Sequence, residues 1–286
     1  MAEKLTQGIV QEWMSQTGGR YVSIANMRSG MDIQQSDNVS TLHKSLQRLS
    51  KMGILKHHPI KYGYYRYVDV NAEKMDLVTA NPLDIVPIKF PFGVERYVRI
   101  YKKNVIVYYG SKDAGKTAQA INLMRWNLSR LPQRYINTDM GEEELRGRLE
   151  KLPDVTIEQW QKYVDFRWLG DHAPEDLIDP DAINILDFLE VFADFYAVGR
   201  PIKEMASKLR DGILVVFLQK NPGADLPLGK GRGLEKAKLA FNLDPGKITI
   251  VVAKNWAEGI TTSPVGKSWT YKLVGGARIF GEKEAT

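Results

Sequence analysis

VIVYYGSKDAGKT, residues 105 to 117, decides how the rest of the chain is read. Six apolar or aromatic-rich residues, the pattern of a buried strand, run into the loop GSKDAGKT, and TAQAINLMRWNLSRL (117–131) leaves it with helical character. The loop fits G-x-x-x-x-G-K-[ST] without departure. Taken alone, it could be a glycine-containing surface turn with a chance lysine. Between a strand and a helix it is a phosphate cradle. Gly110 and Gly115 let the backbone curl. The amides of Lys112, Asp113, Ala114, Gly115, Lys116 and Thr117 then point inward at a helix start, where the partial positive charge favours an anion. Gly110, Ser111 and those six are the candidate nucleotide-binding residues. Lys116 would reach the β and γ phosphate oxygens, and the Thr117 hydroxyl would ligate Mg²⁺.

The bulk numbers set bounds. The 286 residues suit one large domain or two smaller ones, with 43% hydrophobic and 26% charged residues as in ordinary globular proteins. No run of about 18 apolar residues marks a membrane span. The start, MAEKLTQGIVQEW, lacks the basic-then-apolar layout of a signal peptide, so a cytoplasmic protein is expected. There is no cysteine, which excludes disulfides and thiol catalysis, and His43, His57, His58 and His172 form no metal-ligand spacing. A net charge of +6 and a pI near 9.2 permit a nucleic-acid partner.

Two blocks and a connector are expected: residues 1–70, a linker at 71–92 rich in proline toward its end, and 93–286. In the last block, strand-like runs at 105–110, 134–139, 182–188, 213–219 and 247–254 alternate with helical patterns. That alternation predicts an α/β fold around a mainly parallel sheet buried on both faces.

YINTDMGEEELRGRL (135–149) resembles the second strand and following helix of DnaB-type replicative helicases, which are RecA-like P-loop ATPases. The matching residues are Asp139, Met140, Gly141, Leu145, Arg148 and Leu149. The resemblance implies ATP and Mg²⁺ as cofactors and makes Asp139 the residue that polarises the attacking water. The family usually has glutamate there; aspartate is one methylene shorter, and Glu142 is an alternative base. Read without the resemblance, Glu142 to Glu144 are a solvated helix start whose carboxylates suit the dipole. Asp187, at the end of the apolar strand in AINILDF, resembles the Walker B aspartate and is the candidate Mg²⁺ ligand beside Thr117; otherwise it would cap the next segment. Gln219, closing ILVVFLQ, matches the family's polar γ-phosphate sensor. The segment after it (220–238) carries Lys220, Lys230, Arg232, Lys236 and Lys238 among four glycines, and is expected to be a mobile loop that follows single-stranded DNA. By composition alone it is a solvated loop. In KITIVVAKNWAEG, Lys254 matches a lysine that reaches into the neighbouring subunit's site, but Trp256 stands where the family has a second trans-acting group, an arginine. Arg232 and Arg278 are candidate substitutes. The resemblance spans residues 93 to 285.

The first block resembles a winged helix-turn-helix: three helical segments, then a hairpin with an aromatic second strand. Asn38, Ser40, Thr41, Lys44 and Arg48 on the third helix, with Lys61 in the wing, are the candidate duplex-DNA contacts. Between residues 36 and 66 six cations stand against Asp37. Such domains also mediate protein contacts. Two functions stay open. One is an oligomeric, helicase-like DNA motor, with a hexameric ring as one form. The other is a nucleotide-switched DNA-binding regulator or helicase loader that hydrolyses slowly. Lys254 favours the first, Asp139 and Trp256 the second.

Overall fold

The computed structural model describes residues 5–69, 75–189 and 198–285. The chain divides into two compact units, Met1–Ala80 and Asn81–Thr286.

In the smaller unit, α1 (Gln7–Ser15), β1 (Val22–Ser23), α2 (Ile24–Gly30), α3 (Ser36–Lys51), β2 (Leu55–His57) and β3 (Tyr64–Tyr67) follow in order. Thr6 and Ser23 cap α1 and α2 by accepting from the amides of Ile9 and Asn26. Leu42, Leu46 and Leu49 line the inner face of α3 at helical spacing, and close on Val10, Met14, Met27 and Leu55. The strands form a small antiparallel sheet in the order β1-β3-β2.

In the larger unit the described residues form a nine-stranded sheet. Its elements are β4 (Val105–Gly110), α4 (Lys116–Asn127), β5 (Gln133–Asn137), α5 (Glu142–Leu149), α6 (Ile157–Tyr163), β6 (Val164–Trp168), β7 (Ile183–Asp187), α7 (Gly199–Ser207), β8 (Ile213–Gln219), β9 (Ala237–Asp244), β10 (Lys247–Ala253), β11 (Ser268–Val274) and β12 (Arg278–Ala285), and the strand order is β12-β11-β10-β9-β4-β8-β7-β5-β6. The strands from β9 to β6 are parallel; β10, β11 and β12 extend the sheet antiparallel. Every residue of β4 is buried. Its alternate side chains divide between two cores. Ile106 and Tyr108 face one, with α4 and Trp160 of α6; Val105, Val107 and Tyr109 face the other, with Ile202 and Met205 of α7. Tyr108 stacks on Phe217 and Phe241, at 4.9 and 4.5 Å between ring centres, tying β4 to both flanking strands.

Three expectations need correcting. The strand expected at 247–254 is β10, and it runs antiparallel, outside the parallel set. The parallel neighbour of β4 on that side is β9, which begins inside the expected loop 220–238. That loop is also less free than expected. Lys230–Leu234 is a 3-10 turn, the Tyr109 hydroxyl donates to Asp225 O at 2.8 Å, and Lys220 is buried. Finally, residues 81–92, assigned to the linker, belong to the larger unit, with Ile88, Phe90 and Phe92 buried in its core; residues 71–74 of the linker lie outside the described residues.

Removing the Phe241 ring opens a cavity under Tyr108. Phe241→Ala is expected to cost the larger unit about 3–5 kcal/mol, read from denaturant unfolding. A loss under about 1 kcal/mol would contradict a stacked core at this point.

Candidate active site

The ends of β4, β8 and β9 meet at one level: Gly110 pairs in register with Gln219 and with Leu243. A Cβ on Gly110 would lie 2.9 Å from Leu243 Cβ and 3.0 Å from both Ala114 Cβ and Leu243 O. Only glycine lets the chain turn there. Asp113 (φ 61°) and Gly115 (φ 88°) adopt left-handed backbone, and α4 starts at Lys116. A Cβ on Gly115 would strike Leu273 Cδ1 at 2.7 Å, so β11 closes over the loop. The strand-to-helix turn puts amides at a helix start, an arrangement that can bind an anion.

Lys116 Nζ donates to Ser111 O (2.9 Å), Gln219 Oε1 (3.0 Å) and Gly110 O (3.3 Å). The phosphate loop and the end of β8 are therefore joined by one ammonium. Burial lowers the Lys116 pKa, opposed by Asp187, Asp113 and Asp139. The Gly110 carbonyl also accepts from the Lys220 amide at 3.0 Å. The buried Lys220 ammonium reaches Asn242 Oδ1 (2.7 Å) and Asp244 Oδ1 (2.6 Å). Lys220 thus clamps β8 to β9, and its charge is not available to a nucleic acid.

Asp187 closes β7 and is 1% exposed. Its Oδ2 accepts from the Tyr135 hydroxyl at 2.8 Å, while Oδ1 is buried and makes no well-formed hydrogen bond. Burial pushes its pKa up to about 6; the Tyr135 and Thr117 hydroxyls pull the other way. A buried carboxylate close to the half-buried Thr117 hydroxyl fits a divalent cation with oxygen ligands. Asp139 lies past the end of β5 and is exposed at the site's rim. Partial burial raises its pKa first, then the Glu144 carboxylate; Arg148 and Lys116 oppose. The turn that presents it is held by Asn137, whose side-chain amide donates to Met140 O and whose Oδ1 accepts from Met140 N.

Sequence reasoning missed Tyr135 and Thr138. The Thr138 hydroxyl donates to Asp187 O (3.2 Å) and accepts from Phe188 N (3.0 Å), stitching the ends of β5 and β7. The available signal was a polar residue right after an apolar strand, without the register that gives it a partner.

Lys254 is not part of this cluster. Its amide bonds to Lys238 O, and β10 runs back from the site edge, so it stands level with the start of β4. The length of β4, about 16 Å at the usual rise, separates it from the phosphate loop. Trp256 is beside it, 40% exposed. Arg278 is exposed at the start of β12; Arg232 is exposed and pairs with Glu235 at 3.1 Å. Lys230 begins the 3-10 turn, and its side chain lies outside the described residues.

In the smaller unit, Ser40, Lys44, Arg48 and Lys61 are exposed. Asn38 and Thr41 are engaged locally. Asn38 Oδ1 accepts from the Leu5 amide (3.3 Å), and the Thr41 hydroxyl donates to Asp37 O (2.9 Å).

Among solved structures the chain is similar to a KaiC-like protein, PH0186, from Pyrococcus horikoshii OT3, with a TM-score of 0.51 and 11% identity over 70% of this chain and 100% of that one. The larger unit has a RecA-like α/β fold. A second solved structure, an isolated ATPase domain, also matches, with a TM-score of 0.40 and 15% identity over 60% of this chain and 82% of that one. No family profile matches the chain, and no curated protein matches it.

The raised Asp187 pKa predicts a pH effect in the metal-free protein. The folded state holds this proton to higher pH than the unfolded state, so stability falls as pH rises from about 4 to about 6. Asp187→Asn should remove that fall, so that the variant gains about 3 kcal/mol relative to the parent between about pH 4 and pH 7. Parallel slopes for parent and variant in pH-dependent thermal unfolding would contradict it.

Proposed function

We propose that the protein is a DNA-binding ATPase that assembles head to tail, so that Lys254 of one copy completes the phosphate site of the next. The separation of Lys254 from Lys116 by the length of β4 carries this proposal. A lysine at that edge can serve a phosphate site only on another copy, as the resemblance to DnaB-type helicases implies.

Within one copy, the loop Gly110–Thr117 would bind the phosphates of ATP. Thr117 and Asp187 would hold Mg²⁺, which neutralises phosphate charge when bound. Asp139 would accept the proton of the attacking water, and partial burial, which raises its pKa, makes it a stronger base than a free carboxylate. Gln219, joined to Lys116 at 3.0 Å, would exchange that contact for one to phosphate and pass the change to the segment at 220–236. Leu228 N bonds to Gln219 O at 2.8 Å, which connects the two. Exposed Arg232, with Lys230, would meet a single strand there.

The smaller unit would act as a winged helix on duplex DNA. Its helix-strand-helix-helix-hairpin order supports this, as do exposed Lys44, Arg48 and Lys61. Residues 5–69 carry eight Lys and Arg against four Asp and Glu, an excess that suits a phosphate backbone.

The alternative, a nucleotide-switched regulator or loader, is favoured by Trp256 in place of arginine and by the shorter Asp139. One experiment separates the two: ATP hydrolysis with and without single- and double-stranded DNA, with assembly size measured in parallel. A motor predicts strong stimulation by single strands and a ring-sized species. Tight ATP binding with negligible, DNA-independent turnover favours the switch. Lys116→Ala should abolish ATP binding and leave duplex binding intact. Joint loss in a folded variant would contradict two separate modules.

A further inference from the structure

Trp256 is left unexplained by the site within one copy. It is exposed, yet its backbone is fixed. Val98 and Trp256 form a bridge, Arg99 N donates to Asn255 O at 2.9 Å, and Ala257 N donates to Tyr97 O at 3.0 Å. Its indole N–H is held by Ala253 O at 2.9 Å. A large aromatic presented to solvent from a fixed platform is the composition of an interface anchor, because it buries much area at little entropy cost.

A matching recess lies on the opposite edge of the sheet. Phe166 and Trp168 of β6, with Met140, Leu145 and Arg167, line a cavity of about 270 Å³ at the ends of β5 and β6. Residues on both sides of Asp139 contribute to it. Trp168 is 55% exposed, an unusual state for a tryptophan beside an apolar cavity. Arg167, paired with Asp165 at 2.7 Å, offers a guanidinium plane on which an indole can stack. Glu142 lines the cavity and exposed Glu143 follows it, while Glu144 pairs with Arg148 at 2.8 Å; the two remaining carboxylates are complementary to the exposed Lys254 two residues before Trp256.

We infer that Trp256 of one copy seats in the Phe166–Trp168 cavity of the next and so positions Lys254 beside the neighbour's phosphate loop. This rests on the head-to-tail assembly proposed above and names the contact that holds it. Anchor and recess lie on opposite edges, so the contact is heterologous and builds rings or filaments rather than isologous dimers. An apolar anchor at this position supplies binding and placement, where an arginine would supply charge. The trans-acting charge at this strand then comes from Lys254 rather than from position 256, and turnover is expected to be slow.

The test is self-assembly of the full chain with ATP and Mg²⁺, followed by sedimentation, with Trp256→Ala, Trp168→Ala, the double variant and Trp256→Phe. Both tryptophans are exposed, so the folds should survive, checked by thermal unfolding. Each alanine variant should weaken association about 10-fold or more, and Trp256→Phe should recover most of it. The double variant should be no weaker than either single one, because both remove the same contact. Hydrolysis per assembled copy should fall in Trp256→Ala and recover in Trp256→Phe. Parent-like assembly of Trp256→Ala, or additive losses in the double variant, overturns the inference and leaves shared sites standing. A parent that stays monomeric with concentration-independent hydrolysis overturns shared sites and the anchor together.

Discussion

A residue without a side chain governs the edge of the sheet where β4, β8 and β9 end. Gly110 ends β4 against Leu243 and Ala114 with no room for a Cβ, and its carbonyl takes both the Lys116 ammonium and the Lys220 amide. Because β4 is buried on both faces and registers with β8 and β9, this close approach fixes three strand ends at once. The loop can then turn into α4 with its amides converging. Lys116, Gln219, Thr117 and Asp187 gather around that turn as a consequence of strand register.

The electrostatics follow from the same burial. Asp187 sits under the sheet edge, its charged form disfavoured by lost hydration and only partly supported by Tyr135. Lys116 is likewise depressed by burial. Two opposite charges that each resist desolvation are held near one another, in a place where a phosphate and a divalent cation would relieve both. Asp139 remains at the rim, where its proton can exchange with water.

How much of this was legible varies with the physics of each segment. VIVYYG and ILVVFLQ match their strands residue for residue, because strands buried on both faces must be continuously apolar. The strand, turn and helix start at 105–127 were legible because glycines stand at fixed spacing where the chain has to turn. AKLAFNLD was missed: glycines and lysines precede it, and Asn242 and Asp244 inside it bind Lys220, a partner visible only after folding. VDFRW was missed because an edge strand needs only one buried face, so five residues give too weak a pattern. Lys220 was misassigned for the same reason, since composition cannot separate a cation on a loop from one clamped under a sheet. Tyr135 and Thr138 act across strands, and no local pattern encodes that.

The central claim is that each phosphate site is completed by a second copy. The direct test mixes two variants, Lys116→Ala and Lys254→Ala, each inactive alone, and measures ATP hydrolysis as a function of mixing ratio. Random head-to-tail assembly at equal amounts restores intact Lys116 and Lys254 together at about a quarter of the contacts, so activity should rise to roughly that share of the parent's. A mixture as inactive as its components, while mixed assemblies demonstrably form, would show that Lys254 does not serve a neighbour's site.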